Sequence, residues 1–187
     1  MAHSLSTKRY STVGIALHWL IALLIFGLFP VGLWMTSQEM SPDLAKVYAL
    51  HKSTGITVLA LGLFRIVWRL FNPAPPLPAG MPPLQKIAAH ATHGLLYVGM
   101  IAVPLCGWLG SSAAGRSVSP FGLFTLPDLV GKDKALVKQM FELHELFAYI
   151  LMALVLLHIL ATVYHQLIQK DNLIARMSFF GPSSRIG

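Results

Sequence analysis

Four long apolar runs, separated by polar stretches, organise the chain. The first covers about 13–35, and from Val13 to Trp34 only His18 interrupts it. The others are Val47–Phe71, Ile87–Leu109 and Phe141–Ile168. A helix needs about 20 apolar residues to cross the bilayer core, and each run is long enough. The pattern predicts an all-α membrane protein, a bundle of four transmembrane helices forming one domain over 1–187. Pro30 predicts a kink in the first span, and Pro104 interrupts the third, where neighbouring helices tolerate it. A polar loop is expected from Thr36 to Lys46. The stretch Asn72–Pro83 holds six prolines and is read as a non-helical connector. Ser111–Gln139 is the longest loop, with Asp133–Gln139 expected to wind into the next helix. A polar tail follows Ile168. Neither internal repeats nor low-complexity segments are present.

Composition strengthens this reading. Apolar residues make up 55% and charged residues 11%, with a mean hydropathy of +0.65. Soluble domains carry about 25% charged residues, so a water-facing globule is excluded. The loops leave no room for a separate soluble catalytic domain. The net charge of +7 raises nucleic acid as a partner, but no basic run interleaved with aromatics occurs, and nucleic acid is excluded. Basic residues cluster where apolar runs end, which suits contact with anionic membrane lipid. The single cysteine, Cys106, lies within a span and reads as a small buried hydrophobe. No C-x-x-C-H attachment motif for covalent haem occurs. After Lys8 and Arg9 the first run is too long for a cleaved signal peptide and lacks a cleavage site, so it is expected to stay as a span. Lys8, Arg9, Arg65, Arg69, Lys86, Lys170, Arg176 and Arg185 fall on one side, eight against six on the other. The positive-inside rule then puts both termini in the cytoplasm.

Histidine is the candidate chemistry. Seven of the eight histidines (His18, His51, His90, His93, His144, His158 and His165) lie within or at the ends of spans. His3 lies in a polar tail. Ionisable groups at membrane depth are costly and point to function. His144 and His158 are 14 residues apart, which is about 21 Å along a helix and nearly the same face. One helix therefore presents two imidazoles to the interior near opposite membrane surfaces. His51 matches the depth of His144, and His18 is compatible with that of His158. The predicted pairs are His51 with His144, towards the outside, and His18 with His158, towards the inside. Imidazoles facing each other across a four-helix bundle can hold a cofactor, and haem iron takes axial ligands from opposite faces. Two haems stacked across the bilayer would carry electrons from one surface to the other.

Other features stay open. His90 and His93 share a face at the inner end of the third span, where they either compete for pairing with His18, line a quinone pocket or cap the span. His165 is expected at the headgroups. Arg65 and Arg69 read as snorkelling anchors or as partners of inner-haem propionates. Lys46, Lys52, Arg116, Lys132, Lys134 and Lys138 offer the outer surface a positive funnel for an anion, which Asp43, Asp128, Asp133, Glu142 and Glu145 could neutralise. His144-Glu145 begins an H-E-x-x-H zinc motif, but position 148 is Ala. The glycines Gly107, Gly110 and Gly115 read as packing or turn positions.

Several short motifs carry a resemblance in their order and spacing. They are Ala16-Leu17-His18-Trp19-Leu20, His51-Lys52-Ser53-Thr54-Gly55-Ile56 and Arg65-Ile66-Val67-Trp68-Arg69-Leu70. There follow His90-Ala91-Thr92-His93-Gly94-Leu95-Leu96-Tyr97, Pro104-Leu105-Cys106-Gly107-Trp108, Leu143-His144-Glu145 and Lys170-Asp171-Asn172-Leu173. From about Lys8 to Met177 the chain resembles the bacterial cytochrome b(561) family. The resemblance implies a four-span protein of the bacterial cytoplasmic (inner) membrane with two haems b. It implies His18 and His158 as ligands of the inner iron, and His51 and His144 as ligands of the outer iron. It further implies electron exchange with the quinone pool, ubiquinone as acceptor, and superoxide or another periplasmic donor at the outer face. Electron transfer of this kind expects no catalytic acid or base. Two other functions compete: a haem-bearing anchor subunit that relays electrons for a separate partner protein, and a histidine-based proton or cation transporter. Transport would call for intramembrane carboxylates, and Glu142 and Glu145 sit only at an outer span end.

Overall fold

The computed structural model describes residues 9–78 and 80–180, so His3, Lys8 and Arg185 lie outside the described residues. Four helices account for most of the chain: α1 (Thr12–Thr36), α2 (Pro42–Phe71), α3 (Pro83–Ala113) and α4 (Lys134–Tyr164). All four are long and apolar enough to cross a membrane. They alternate in direction. The Trp68 indole donates to Ser11 Oγ at 2.9 Å, joining the end of α2 to the start of α1. At the opposite end the Tyr48 hydroxyl donates to the Met35 carbonyl at 3.3 Å. The amide of Asp133 likewise donates to the carbonyl of Ala113 at 3.0 Å, joining α3 to α4. We call the end holding the α1–α2 and α3–α4 connections the crown, and the opposite end the base.

The helices outrun the apolar runs that announce them, because their first turns are polar and capped. Ser41 Oγ accepts from the Leu44 amide at 3.1 Å, and Pro42 occupies the first helical position. The α2 helix therefore starts at Pro42 instead of Val47. Asp133 accepts from the amides of Ala135 and Leu136, at 2.8 and 3.1 Å, and starts α4 at Lys134 instead of Phe141. The α1 helix runs through Pro30 and α3 through Pro104.

At the base, α4 ends at Tyr164 and loosens into a π-helical turn, His165–Gln169. Lys170 and Asn172 adopt left-handed conformations (φ 54° and 58°) and reverse the chain. A 3₁₀ turn, Leu173–Met177, then lies across the base. Its bonds reach distant parts of the chain. The Tyr10 amide donates to the Arg176 carbonyl at 3.2 Å, and Trp19 Nε1 to the Met177 carbonyl at 2.9 Å. Arg9 Nη2 donates to the Ser178 carbonyl and Arg176 Nη1 to the Pro76 carbonyl, both at 2.7 Å.

Packing is close between consecutive helices and closest between α3 and α4. A Cβ on Gly99 would lie 2.9 Å from Leu151 Cδ1, so glycine sets that approach. The α1 and α4 helices meet through longer side chains, such as the Phe29 and Tyr149 rings with centroids 5.6 Å apart. The buried apolar cluster is small, with Ile21, Val58 and Met100 at its centre. Leu151 alone is buried on α4 among its described residues. The space between the α1/α2 pair and α4 is occupied by imidazoles.

The crown is roofed by the α3–α4 connection. Ser53 on α2, 2% exposed, donates to the Ala49 carbonyl at 2.8 Å and accepts from the Phe121 amide at 2.9 Å. Phe121 opens into the left-handed region (φ 50°) within the 3₁₀ turn Pro120–Gly122. Beside it, Lys52 Nζ donates to the Ser117 carbonyl at 3.3 Å.

Candidate functional site

Two pairs of histidines bridge the bundle, one near each end. At the crown, His51 on α2 faces His144 on α4, with ring centroids 6.2 Å apart and planes at 71°. At the base, His18 on α1 faces His158 on α4, with centroids again 6.2 Å apart and planes at 68°. The 14-residue spacing along α4 is matched on the facing side by two different helices. These are the two pairs the sequence predicts.

All four helices contribute to the crown pair. His144 Nδ1 lies 2.8 Å from the Val103 carbonyl. A carbonyl only accepts, so Nδ1 carries the hydrogen and Nε2 keeps its lone pair. That approach depends on Gly107, where a Cβ would come within 3.1 Å of His144 Nδ1. On the other side a Cβ on Gly32 of α1 would lie 3.3 Å from His51 Cε1. His51 Nδ1 is buried without a hydrogen-bond partner among the described residues. Sequence reasoning assigned Gly107 to general packing and overlooked Gly32, because neither contact is local.

Around the base pair the structure adds groups. His93 of α3 packs against His158, with centroids 5.3 Å apart and planes at 62°. His90, one turn nearer the end of the helix, is exposed. Arg65 Nη1 donates to the Gly14 carbonyl at 2.8 Å, and its Nε donates to the Tyr97 hydroxyl at 3.3 Å. Arg69 lies over the Tyr97 ring, 6.0 Å from its centroid. In the sequence Tyr97 only closes the His90–Tyr97 motif and receives no role of its own, although its place four residues after His93 puts it on the same helix face. His165 does not stand at the headgroups alone. Its Nδ1 lies 2.6 Å from Asp171 Oδ2, with the two side chains 14% and 19% exposed. The reversal at Lys170 brings Asp171 back beneath the helix end.

The crown cations divide into two kinds. Lys46 pairs with Asp43 at 2.7 Å, and Lys138 with Glu142 at 3.8 Å. Lys52, Arg116, Lys132 and Lys134 form no ion pair among the described residues. Lys52 adjoins His51 in sequence and reaches the carbonyl of Ser117, the residue after Arg116. No cluster of three or more His, Cys, Asp or Glu able to hold a bare metal ion occurs among the described residues.

The family model for prokaryotic cytochrome b561 matches residues 9–179. The chain is 33% identical over 179 residues to cytochrome b561 homolog 2 of Escherichia coli (strain K12), covering 95% of each chain. It is 31% identical over 175 residues to the probable superoxide oxidase CybB of Yersinia pestis, covering 91% of this chain and 96% of that one. To cytochrome b562 of Cereibacter sphaeroides it is 30% identical over 177 residues, with 90% and 94% covered.

Proposed function

The chain belongs to the prokaryotic cytochrome b561 family, multi-pass membrane proteins of electron transfer, and on that premise we propose that it carries two haems b and links a donor at the crown to the membrane quinone pool. In this reading the base faces the cytoplasm and the crown the periplasm, as the distribution of Lys and Arg suggests.

One observation carries the proposal: the two histidine pairs have the same separation, 6.2 Å, at two depths of the same helix. With metal–imidazole bonds of about 2 Å, two opposed rings on one metal have centroids roughly 6 Å apart once the ring half-widths are added. Both pairs fit an iron between them. His93 and His158, at 5.3 Å, are in edge contact with no such room, which favours His18 as the ligand opposite His158. Two imidazoles alone make a poor cage for a bare cation but suit an iron whose other positions a macrocycle fills. The glycines at 32 and 107 leave the crown rings space to stand opposite one another across the bundle.

Haem b at each pair would supply one-electron transfer, with potentials set by its ligands and surroundings. The protein's own part is positional. The Val103 carbonyl fixes the His144 tautomer that leaves Nε2 free for a metal. The α4 helix holds both sites in one rigid element, about 21 Å apart along its axis.

For the donor, the crown favours a small anion, and superoxide is the reading we adopt. Lys52, next to His51 in the chain, and Arg116, next to the Ser117 that Lys52 reaches, have no acidic partner among the described residues. Two superoxide anions would give up two electrons and leave as dioxygen, with no proton transfer required. A quinone would take those electrons with two protons and become quinol. The relative named as a probable superoxide oxidase is consistent with this donor.

The test is a reduced-minus-oxidised spectrum of the purified chain, with haem counted as pyridine haemochrome. Two b-type haems per chain are expected. A folded chain expressed with ample haem that binds none would overturn the proposal and favour a histidine relay. Stopped-flow mixing with superoxide and a soluble quinone then separates an oxidase, which turns over alone, from an anchor that needs a partner protein.

A further inference from the structure

The base of the bundle holds a charge imbalance that the histidine pairs do not explain. Of the seven acidic residues in the sequence, six lie on the crown side, and Asp171 alone lies at the base. Its carboxylate is already engaged by His165. Arg65 and Arg69 nevertheless stand half-buried at the level of the base pair and one turn beyond it. Arg65 spends Nε and Nη1 on Tyr97 and Gly14, leaving Nη2 without a partner among the described residues. Arg69 makes neither a hydrogen bond nor an ion pair among the described residues, only its contact with the Tyr97 ring. The Tyr97 hydroxyl accepts from Arg65, so its own hydrogen is still free to donate.

Two guanidiniums and a phenol with unspent donors thus converge where no acidic side chain among the described residues is available. Charges withdrawn from water need a counter-charge, and a guanidinium fork matches the two oxygens of a carboxylate. We propose that Arg65, Arg69 and Tyr97 form a carboxylate-binding site that holds the propionate edge of the haem carried by His18 and His158. The inference rests on the two-haem reading and adds an orientation to it. The propionates of the base haem would then lie towards α2 and α3, which carry Arg65, Arg69 and Tyr97. Arginine at these positions is then a binding residue of the cofactor, beyond its role as a snorkelling anchor.

The test is a redox titration and haem count on the purified full chain, with the crown haem as internal control. In Arg69→Gln the midpoint potential of one haem should fall while the other stays, because losing a nearby positive charge favours the ferric form. Arg69→Lys should recover most of that shift. Arg65→Gln together with Arg69→Gln should lower the content from two haems to one. Tyr97→Phe, which removes only the hydroxyl, should lower the same potential by less, and it decides the matter if the arginine variants do not fold. Two haems with parental potentials in the folded variants would overturn the site and leave the di-haem reading standing. A parent chain without haem would overturn both. A base potential that depends on anionic lipid in nanodiscs, and loses that dependence in Arg69→Gln, would give the site to a lipid phosphate instead.

Discussion

His144 donates its Nδ1 hydrogen to the carbonyl of Val103 at 2.8 Å, on the stretch of α3 that Gly107 keeps bare. The bond and the missing side chain belong together: one orients the ring, and the other lets it come close enough.

Gly107→Ala should therefore be felt at the crown alone. Its Cβ would meet His144 Nδ1 at 3.1 Å, and overpacking of this kind costs about 1–3 kcal/mol. We expect a lower thermal midpoint and loss of the crown haem signal, with the base signal intact. Spectra that keep both signals at full intensity would show that the ring has another way to sit.

Replacing each paired histidine by alanine should separate the two sites. His51→Ala or His144→Ala should leave one haem per chain, and so should His18→Ala or His158→Ala, with the surviving spectrum differing between the two groups. His93→Ala should keep both haems, since its ring touches His158 at 5.3 Å from the flank. Pyridine haemochrome counts decide, and loss of a haem in the His93 variant would make it a ligand.

The Phe121 turn in the roof over the crown is tied to α2 by one hydroxyl. In Ser53→Ala the amide of Phe121 loses its acceptor, a hydrogen bond worth about 0.5–1.5 kcal/mol. Amide hydrogen exchange over 117–126 should accelerate while haem content holds. Unchanged protection there would mean that the turn stands on its own bonds.

Neutralising Lys52 and Arg116 together should slow turnover with superoxide and flatten its dependence on ionic strength, because exposed charges steer anions most strongly at low salt. Lys46→Gln or Lys138→Gln should matter less, as each already faces an acid. Equal rates in parent and double variant at low salt would remove attraction from the account.

Much of this architecture is legible in the sequence, and what is missed has a physical reason. Apolar runs mark the part of each helix that meets lipid, but not the turns beyond it. Ser41 and Asp133 cap polar turns that hydropathy reads as loop. The histidine pairs can be read because 14 residues is nearly a whole number of helical turns, so depth and face follow from counting. The place of His93 cannot be counted, since it depends on how α3 is rotated against α4, where small residues such as Gly99 set the contact. The same holds for Arg65, whose partner Gly14 lies 51 positions away, and for Ser53, whose hydroxyl serves a turn 68 positions distant.

The segment that crosses the base has a consequence for how the protein is made. Its bonds join residues 176–178 to Arg9, Tyr10, Trp19 and Pro76, and a ribosome delivers those partners first and the crossing segment last. The latch can close only after α4 has entered the bilayer alongside the others. Closing it joins residues 176–178 to residues 9–19 and 76, and so ties the shape of the base to the insertion of all four helices.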